Sequence, residues 1–359
     1  MKTKDLINLV FFILLAGTAI SAFGREAGDE NKDKENGESE KEFDASTFIM
    51  EHIADSHEWH LYTKKDSTSV AIYLPVILYS KEKGLDVFSS KKLFHGNIYK
   101  GYKLEEEGEL KGTIVSVTEG GQIDEENMPL DFSITKAVVG LFSAATIGLL
   151  LFLSLARSYK KTGISHPKGI QSFLEPIILF VRDDIALSNI GEHKYEKYMP
   201  YLLTVFFFIL INNLMGLIPF PPPFGANVTG NIAVTFVLAV FTFLITQFSG
   251  NKNYWRHTFA TPGVPFWLLP VMIPVEIIGI FSKPFALMIR LFANITAGHI
   301  IVLSLVCLIF IFKSLGVAPV SILFVIFMDS LELLVAFLQA YVFTLLSALF
   351  ISLAVQDHH

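Results

Sequence analysis

Long apolar runs after residue 136 constrain the fold of this chain more than any other feature. The run AVVGLFSAATIGLLLFLSLA, at 137–156, has no charged residue and is long enough to cross the hydrocarbon core of a bilayer. Two later stretches, 266–312 and 320–355, stay apolar over about twice the length of one crossing. The chain is 52% hydrophobic although its first third is rich in charge. We therefore predict a polytopic, mainly α-helical membrane protein.

Three further segments complete the predicted membrane helices. YLLTVFFFILINNLMGLIP at 201–219 and TGNIAVTFVLAVFTFLITQFSG at 229–250 flank a short loop and predict a helical hairpin. GIQSFLEPIILFVRDDIA, at 169–186, has its apolar residues on one helical face and is predicted to lie on the membrane surface. The expected architecture is about five membrane-embedded helices, the last two long and tilted, plus one interfacial amphipathic helix.

The distribution of basic residues predicts the orientation of the helices. Arg157, Lys160 and Lys161 follow the first apolar run, and Lys252 and Arg256 follow the hairpin, whereas the hairpin loop has neither Lys nor Arg. Because Lys and Arg are retained in cytoplasmic loops, we expect the N-terminus outside and the C-terminus in the cytoplasm.

The region before the membrane segments divides into three parts. Residues 1–24 have lysines, a short apolar core and then small residues, which predicts a signal peptide; a retained membrane anchor is the alternative. Residues 25–42 are acidic and predicted to be disordered. Residues 43–130 have the strand–turn–strand patterns of a mostly β extracytoplasmic module, and 131–359 form the membrane domain.

Composition excludes several classes of function. The net charge of −6, with no basic cluster outside the membrane loops, argues against a nucleic-acid partner. Cys307 is the only cysteine, so no disulfide framework or cysteine metal site is expected. His52, His57 and His60 have a spacing that suits a metal, but we interpret them as solvated, since no second cluster completes a site. We predict no cofactor.

Polar residues within the two long stretches indicate a functional site. A cation at the centre of a membrane helix costs roughly 2.5 to 3.5 kcal/mol on the mildest insertion scale, and such groups commonly mark ion or proton routes. At 100° per residue, Asn294 and Glu276 fall within about 40° of the Arg290 face, and His299 falls on the opposite face. The polar residues at membrane depth are Glu276, Lys283, Arg290, Asn294, His299, Asp329, Glu332 and Gln339.

These residues alone leave alternatives open. Arg290 has the chemistry to form a salt bridge with Glu332 that locks two helices together, and Lys283 to extend to the headgroups. Arg290 also has the charge to bind an anionic substrate in a stand-alone secondary transporter, although no repeat supports that class. An intramembrane protease lacks its usual motifs. Asn212 and Asn213 are expected to join helices.

The membrane domain resembles subunit a of the membrane sector of F-type ATP synthase. The resemblance is carried by SKPFALMIRLFANITAGHII, by FLQAYVFTLLSALFISLAV, by NNLMGLIP and by NVT, and it extends from about Asp131 to the end. It implies a proton-channel stator in a bacterial inner membrane, with a proteolipid c-ring and the peripheral-stalk subunit b as partners. The sequence does not distinguish H⁺ from Na⁺.

The same resemblance implies roles for individual residues. Arg290 would be the essential cation that faces the ring carboxylates. Glu276 falls in the cytoplasmic half-channel, and the outer half-channel and the vicinity of the arginine receive Asn294, His299, Glu332 and Gln339. Asp329 is also expected on the proton path. The sequence departs from a common family pattern, because His299 and Glu332 exchange an acid and an imidazole. We expect the channel to survive this exchange.

Overall fold

The computed structural model describes residues 44–63, 69–94, 96–106, 108, 110–118, 120–162, 169–218, 222–259, 266–312 and 316–356. The predicted signal peptide and acidic segment lie outside these residues. Contacts divide the described chain into two compact units. The first comprises residues 44–142, 215–226 and 303–326, and the second comprises 143–214, 227–302 and 327–356.

The N-terminal region contains one helix, α1 (Ala45–Ile53), and seven short strands. The strands are β1 (Glu58–Thr63), β2 (Ser69–Tyr73), β3 (Pro75–Ser80), β4 (Gly84–Ser89), β5 (Tyr102–Leu104), β6 (Ile114–Ser116) and β7 (Leu130–Asp131). They pair as β1–β2, as β4–β3–β7 and as β5–β6, and every pairing is antiparallel. The predicted strand–turn–strand pattern is confirmed, with the turn at 81–83 between β3 and β4.

Alternation along β3 and β4 builds the core of this region. Val76 and Leu78 are fully buried beneath the sheet, and Phe88 and Tyr102 pack on the same side. Tyr79 and its neighbours on the opposite face are exposed. One face of each strand therefore supplies the core, as expected for an antiparallel sheet with one covered face.

His57 corrects the prediction that the histidine cluster is solvated. Its side chain is buried, and its Nε2 lies 3.4 Å from Oδ2 of Asp131. Only His52 fits the prediction among the described side chains, because it is exposed on α1 and stacks against Phe48. The spacing alone does not show burial, since Asp131 lies 74 positions further along the chain.

The first membrane helix, α2 (Lys136–Thr162), begins against the β module. Asp55 Oδ1 accepts a hydrogen bond from the amide of Ala137 at 3.0 Å, and the carbonyl of Ser56 accepts one from Lys136. A helix N-terminus has amide groups without partners in the helix, and an acceptor at this position stabilises it. The module thus caps the helix to which it is covalently joined.

The remaining helices follow the predicted order. After α2 come α3 (Ile170–Phe180), a π-helical segment (Val181–Leu187) and α4 (Ser188–Ile190), then α5 (Tyr195–Leu217), α6 (Ile232–Phe248), α7 (Lys252–Phe259), α8 (Leu269–Phe312) and α9 (Ala318–Val355). Of the described helices, four are long and apolar enough to cross a membrane, and the bent pair α6–α7 makes up to five. The predicted polytopic architecture is confirmed.

The two last helices are continuous. Helix α8 keeps its helical conformation through Pro274 and Pro284. At 1.5 Å per residue it measures about 66 Å, roughly twice the hydrocarbon thickness. Neither long stretch therefore breaks in the middle; each must tilt in the bilayer or extend beyond it.

Helix α6 buries polar side chains and exposes apolar ones, as expected for a helix that lies in lipid. Its buried side includes Thr235, Thr242 and Thr246, and its exposed side includes Phe236 and Phe241. In lipid, apolar residues on the outside cost nothing, whereas hydroxyl groups require partners within the protein. Thr242 and Thr246 donate to carbonyl groups of their own helix.

Candidate functional site

Arg290 is an exposed cation in the middle of α8. Its neighbours Leu287, Met288 and Leu291 are buried in the second unit. No described carboxylate lies within 4.0 Å of its guanidinium group, so the alternative of a salt bridge with Glu332 is not seen within that part of the chain. Arg290 presents its charge outward.

Gln339 fixes the backbone at this arginine. Its side chain is 2% exposed, and its Nε2 donates a hydrogen bond of 3.1 Å to the main-chain carbonyl oxygen of Arg290. The bond joins α9 to α8 at the residue that carries the charge. A buried amide with a defined partner holds the crossing of the two helices and leaves the guanidinium group unobstructed.

Glu332 of α9 packs against Gly298 of α8. A β-carbon built on Gly298 would approach Glu332 Oε1 to 2.2 Å, so only glycine leaves room for this carboxylate. That oxygen is buried and has no hydrogen-bond partner among the described residues. Asp329 is within electrostatic reach of Glu332, one turn earlier on α9.

His299 directly follows Gly298, and its side chain is half-buried. In the described chain no hydrogen bond or ion pair joins His299 to Glu332. Glu332 of α9 therefore lies beside the turn of α8 that carries His299, but the two side chains are not in direct polar contact. Asn294 is exposed, one turn from Arg290.

The sequence matches a family model described as ATP synthase A chain over residues 138–352. This match covers more than half of the chain and includes every site residue discussed above. The chain belongs to the ATP synthase A chain family. A second model, Domain of unknown function (DUF8433), matches residues 48–132, which correspond to the β module.

Named relatives support the same family. The protein named ATP synthase subunit a of Chloroherpeton thalassium is 51% identical over 236 residues, which cover 64% of this chain and 69% of the relative. ATP synthase subunit a 2 of Chlorobaculum tepidum is 54% identical over 231 residues, covering 62% and 64%. ATP synthase subunit a of Myxococcus xanthus is 47% identical over 236 residues, covering 64% and 76%. The match thus spans about two thirds of the length of the first two relatives.

Asn213 and Thr229 belong to two of the segments that carry the family resemblance. Asn213 Nδ2 donates to the carbonyl of Ala336 at 3.1 Å, and Thr229 donates to Asn213 Oδ1 at 2.7 Å. Both side chains are buried. Asn213 therefore joins α5 to α9, as predicted, whereas Asn212 donates to Phe208 within its own helix.

Glu276 lies in a second polar cluster, 14 residues before Arg290 on α8. Its Oε1 is 3.8 Å from Nδ1 of His257 on α7. Sequence reasoning missed His257, because its approach to Glu276 depends on the 103° bend between α6 and α7. Lys283, two turns later on nearly the same face of α8, is exposed and lies 5.9 Å from the Phe350 ring.

A metal site finds no support in the described chain, where no group of three or more His, Cys, Asp or Glu side chains converges. The site consists instead of a fixed outward cation, a carboxylate against a glycine and a second acid nearer the start of α8. The carboxylates among these groups can bind and release protons, and the cation can attract an ionised partner.

Proposed function

We propose that this chain is the proton-channel stator subunit of an F-type ATP synthase. The observation that carries the proposal is the exposed guanidinium group of Arg290, held at mid-helix by the Gln339 hydrogen bond to its backbone. A permanent charge that faces outward from a membrane helix requires a partner that compensates it. The family membership supports a rotating ring of proteolipid subunits with membrane-embedded carboxylates as this partner.

The chemistry of arginine explains how the stator would work. The guanidinium group does not lose its proton in proteins, so Arg290 conducts no protons itself. It stabilises a ring carboxylate in the ionised form as that carboxylate passes, and it repels other cations. A ring site would release its proton on one side of Arg290 and take up another on the other side.

The spacing along α8 supports two separate proton paths. Glu276 precedes Arg290 by 14 residues, or about 21 Å, and His299 follows it by 9 residues, or about 14 Å. The interval from Glu276 to His299 is about 35 Å, comparable to the thickness of a bilayer. We assign Glu276 to the cytoplasmic half-channel. We assign to the outer half-channel and the arginine's vicinity Asn294, His299, Asp329, Glu332 and Gln339.

A ring partner also satisfies the energetics. One charge that crosses 100 mV gains about 2.3 kcal/mol, so several transfers must be added for each ATP. We propose the c-ring and the peripheral-stalk subunit b as partners in a bacterial inner membrane. The N-terminal signal peptide and an extracytoplasmic β module complete the proposed arrangement, with the C-terminus in the cytoplasm.

A stand-alone secondary transporter that uses Arg290 to bind an anion is the second function considered. The match of residues 138–352 to the ATP synthase A chain model favours the stator. The two functions differ in a simple observation. A stator purified in mild detergent retains a multi-copy, carboxylate-bearing proteolipid, whereas a lone transporter does not.

The decisive experiment replaces Arg290 in the assembled complex. Arg290→Ala should abolish ATP-driven proton pumping into inverted vesicles while the complex stays assembled, and Arg290→Lys should restore little, because lysine can lose its proton near a buried partner. Arg182→Ala is the matched control, since Arg182 is an exposed cation paired with Asp183. Normal pumping by Arg290→Ala vesicles would overturn the proposal.

A further inference from the structure

The bend between α6 and α7 places two ionisable side chains beside Glu276. Helix α7 departs from the axis of α6 by 103° after a break of three residues. Its His257 has Nδ1 3.8 Å from Glu276 Oε1, and the hydroxyl of Tyr254, one turn earlier, lies within electrostatic reach of the same carboxylate. Helix α7 thus places an imidazole and a phenol hydroxyl near Glu276 of α8, and both groups can donate or accept protons.

A cavity lies among α6, α7, α8 and α9. Its first lining residue on α8 is Ile280, one turn after Glu276. The cavity offers about 20 Å³ to the centre of a water molecule, which is room for about one water. Half of its lining residues carry polar side chains, namely Thr242, Thr246, Gln247, Tyr254 and Lys283. Tyr254 and Gln247 already form a hydrogen bond of 3.1 Å across the cavity wall.

The polar groups of this lining can bind water. A buried water needs two to four polar partners, and a hydroxyl group offers one donor and two acceptor positions. Thr246 donates to a carbonyl group of α6, which leaves its oxygen lone pairs for another donor, whereas Thr242 already contacts the hydroxyl groups of Tyr201 and Ser347. The cavity therefore has the room and the polar groups for about one water molecule.

The order of residues along α8 places the cavity between Glu276 and Arg290. Glu276 comes first, Ile280 and Lys283 line the cavity, and Arg290 follows. Each step, from Glu276 to Lys283 and from Lys283 to Arg290, is seven residues, or about 10 Å. The cavity thus occupies the interval between the His257–Glu276 pair and the arginine.

We propose that His257 exchanges protons between Glu276 and cytoplasmic water, and that the cavity is a small hydrated chamber on the path from Glu276 towards Arg290. The inference rests on the proposed stator function. In the direction of synthesis, protonated Glu276 transfers its proton to neutral His257 Nδ1, which leaves a carboxylate and an imidazolium. The imidazolium then releases the proton to water, and the carboxylate accepts the next proton through the chamber.

The geometry requires only a small adjustment. The distance of 3.8 Å between the two side chains is too long for a direct hydrogen bond and short enough for one bridging water or a rotamer change. His257 is exposed, which gives its imidazole access to solvent. Glu276 faces it from α8, and the charged or titratable residues nearest to it on α7 itself are Lys252, Tyr254 and Arg256.

A structural role predicts something different. If the pair merely fastened α7 to α8, its contribution would be that of a surface ion pair, about 0 to 1 kcal/mol, and it would respond to stability alone. A proton relay responds to the supply of mobile proton carriers. The two roles are therefore separable by chemical rescue.

The test uses the assembled complex in inverted vesicles, whose outer medium is the cytoplasmic side. His257→Ala should slow ATP-driven proton uptake about tenfold, since a positioned acid–base group typically contributes at least that much. Millimolar imidazole in the medium should restore several-fold of the loss. His193→Ala is the matched control, because His193 is also exposed and lies in the turn before α5; it should pump normally with and without imidazole.

Two outcomes overturn the inference. One is pumping by His257→Ala at the rate of the unaltered chain, and the other is a loss that imidazole does not relieve. A parallel Arg290→Ala sample separates this result from the larger proposal. If Arg290→Ala is inactive while His257→Ala is normal, only the proposed role of His257 fails; if both pump normally, the stator function fails.

Discussion

The carboxylate of Glu332 occupies the space that a side chain on Gly298 would fill. A β-carbon at position 298 would lie 2.2 Å from Oε1 and 3.0 Å from Cδ of Glu332. The atoms it meets are the far end of a flexible side chain rather than backbone. A methyl group there would therefore redirect the carboxylate without breaking the packing of the two helices.

Gly298→Ala should reduce proton flux while the complex stays stable. Because misplacement of a reacting group by about 1 Å can cost up to 10²-fold, we expect a loss of about tenfold. Gly279→Ala is the control on the same helix, since a β-carbon there meets nothing within 4 Å. Equal flux in the two variants, measured as ATP-driven acidification of inverted vesicles, would show that the position of the Glu332 carboxylate is unimportant.

Asn213→Ala should destabilise the membrane domain more than Asn212→Ala. Asn213 bridges Thr229 and the carbonyl of Ala336, whereas Asn212 donates only to Phe208 of its own helix. Hydrogen bonds between membrane helices contribute about 0.6 kcal/mol on average, so the loss of two predicts about 1 to 2 kcal/mol. Thermal unfolding of the detergent-solubilised complex measures both, and an equal shift in Tm would contradict the bridging role.

The acid stability of the β module should depend on Asp131. Burial alone would raise the pKa of Asp131, but the nearby imidazole of His57 and hydrogen bonding from Ser133 outweigh it and hold the pKa below the ordinary value of 3.8. A carboxyl group with a lowered folded-state pKa stabilises the fold above its ordinary pKa, and this stabilisation is lost as the pH falls through the folded value. The module should therefore weaken below about pH 4.

Fluorescence of the buried Trp59 reports on this module. In the full chain with Trp255→Phe and Trp267→Phe, the midpoint of denaturant unfolding should fall between pH 5 and pH 3. Adding Asp131→Asn should lower the midpoint at pH 5 and flatten the dependence below it. The same pH dependence with and without Asp131→Asn would exclude this carboxyl group as its source.

The proposed orientation predicts which loops a membrane-impermeant thiol reagent can label. Cys307 is the only natural cysteine and is buried, so Cys307→Ser gives a clean background. In that background, Phe224→Cys should react from outside the cell, and Asn253→Cys only after the cytoplasmic side is exposed. Reversed labelling would exchange the two half-channels.

The sequence predicted the elements whose cause is local and missed those that depend on distant residues. Apolar length alone predicts α2, the α5–α6 hairpin and the two long helices, because only a helix satisfies its backbone within lipid. By contrast, the π-helical turn at 181–187 gives no signal in the apolar pattern. The burial of His57 depends on Asp131, which is remote in sequence.

The site shows the same division. The charge of Arg290 and the polar residues near it stand out because each is costly in a membrane helix. Their contacts are not evident from the sequence, because Gln339 donates its hydrogen bond to the backbone of Arg290 rather than contacting the guanidinium group. His257 lies on the polar helix α7, where an ionisable side chain costs little and so does not stand out in the sequence. Only the bend between α6 and α7 brings it close to Glu276.

The exchange of acid and imidazole at His299 and Glu332 gives the sharpest test of the outer half-channel. Glu332 lies against Gly298, the residue directly before His299, so both ionisable groups lie at the same turn of α8. No described hydrogen bond joins them, and we expect water to connect them in the working channel. Interacting groups of this kind titrate as a pair rather than singly.

His299→Ala and Glu332→Ala should each slow proton flux about tenfold or more, because either change removes one of the two acid–base groups. The double variant His299→Glu with Glu332→His keeps one acid and one imidazole at the site. It should recover more flux than either single exchange, since each single exchange leaves two acids or two imidazoles side by side. Flux in inverted vesicles, followed from pH 6 to pH 9 for all four exchange states, gives the coupling between the two positions. If the losses simply add and the double exchange is no better than the slower single variant, His299 acts only as a packing residue and Glu332 conducts without it.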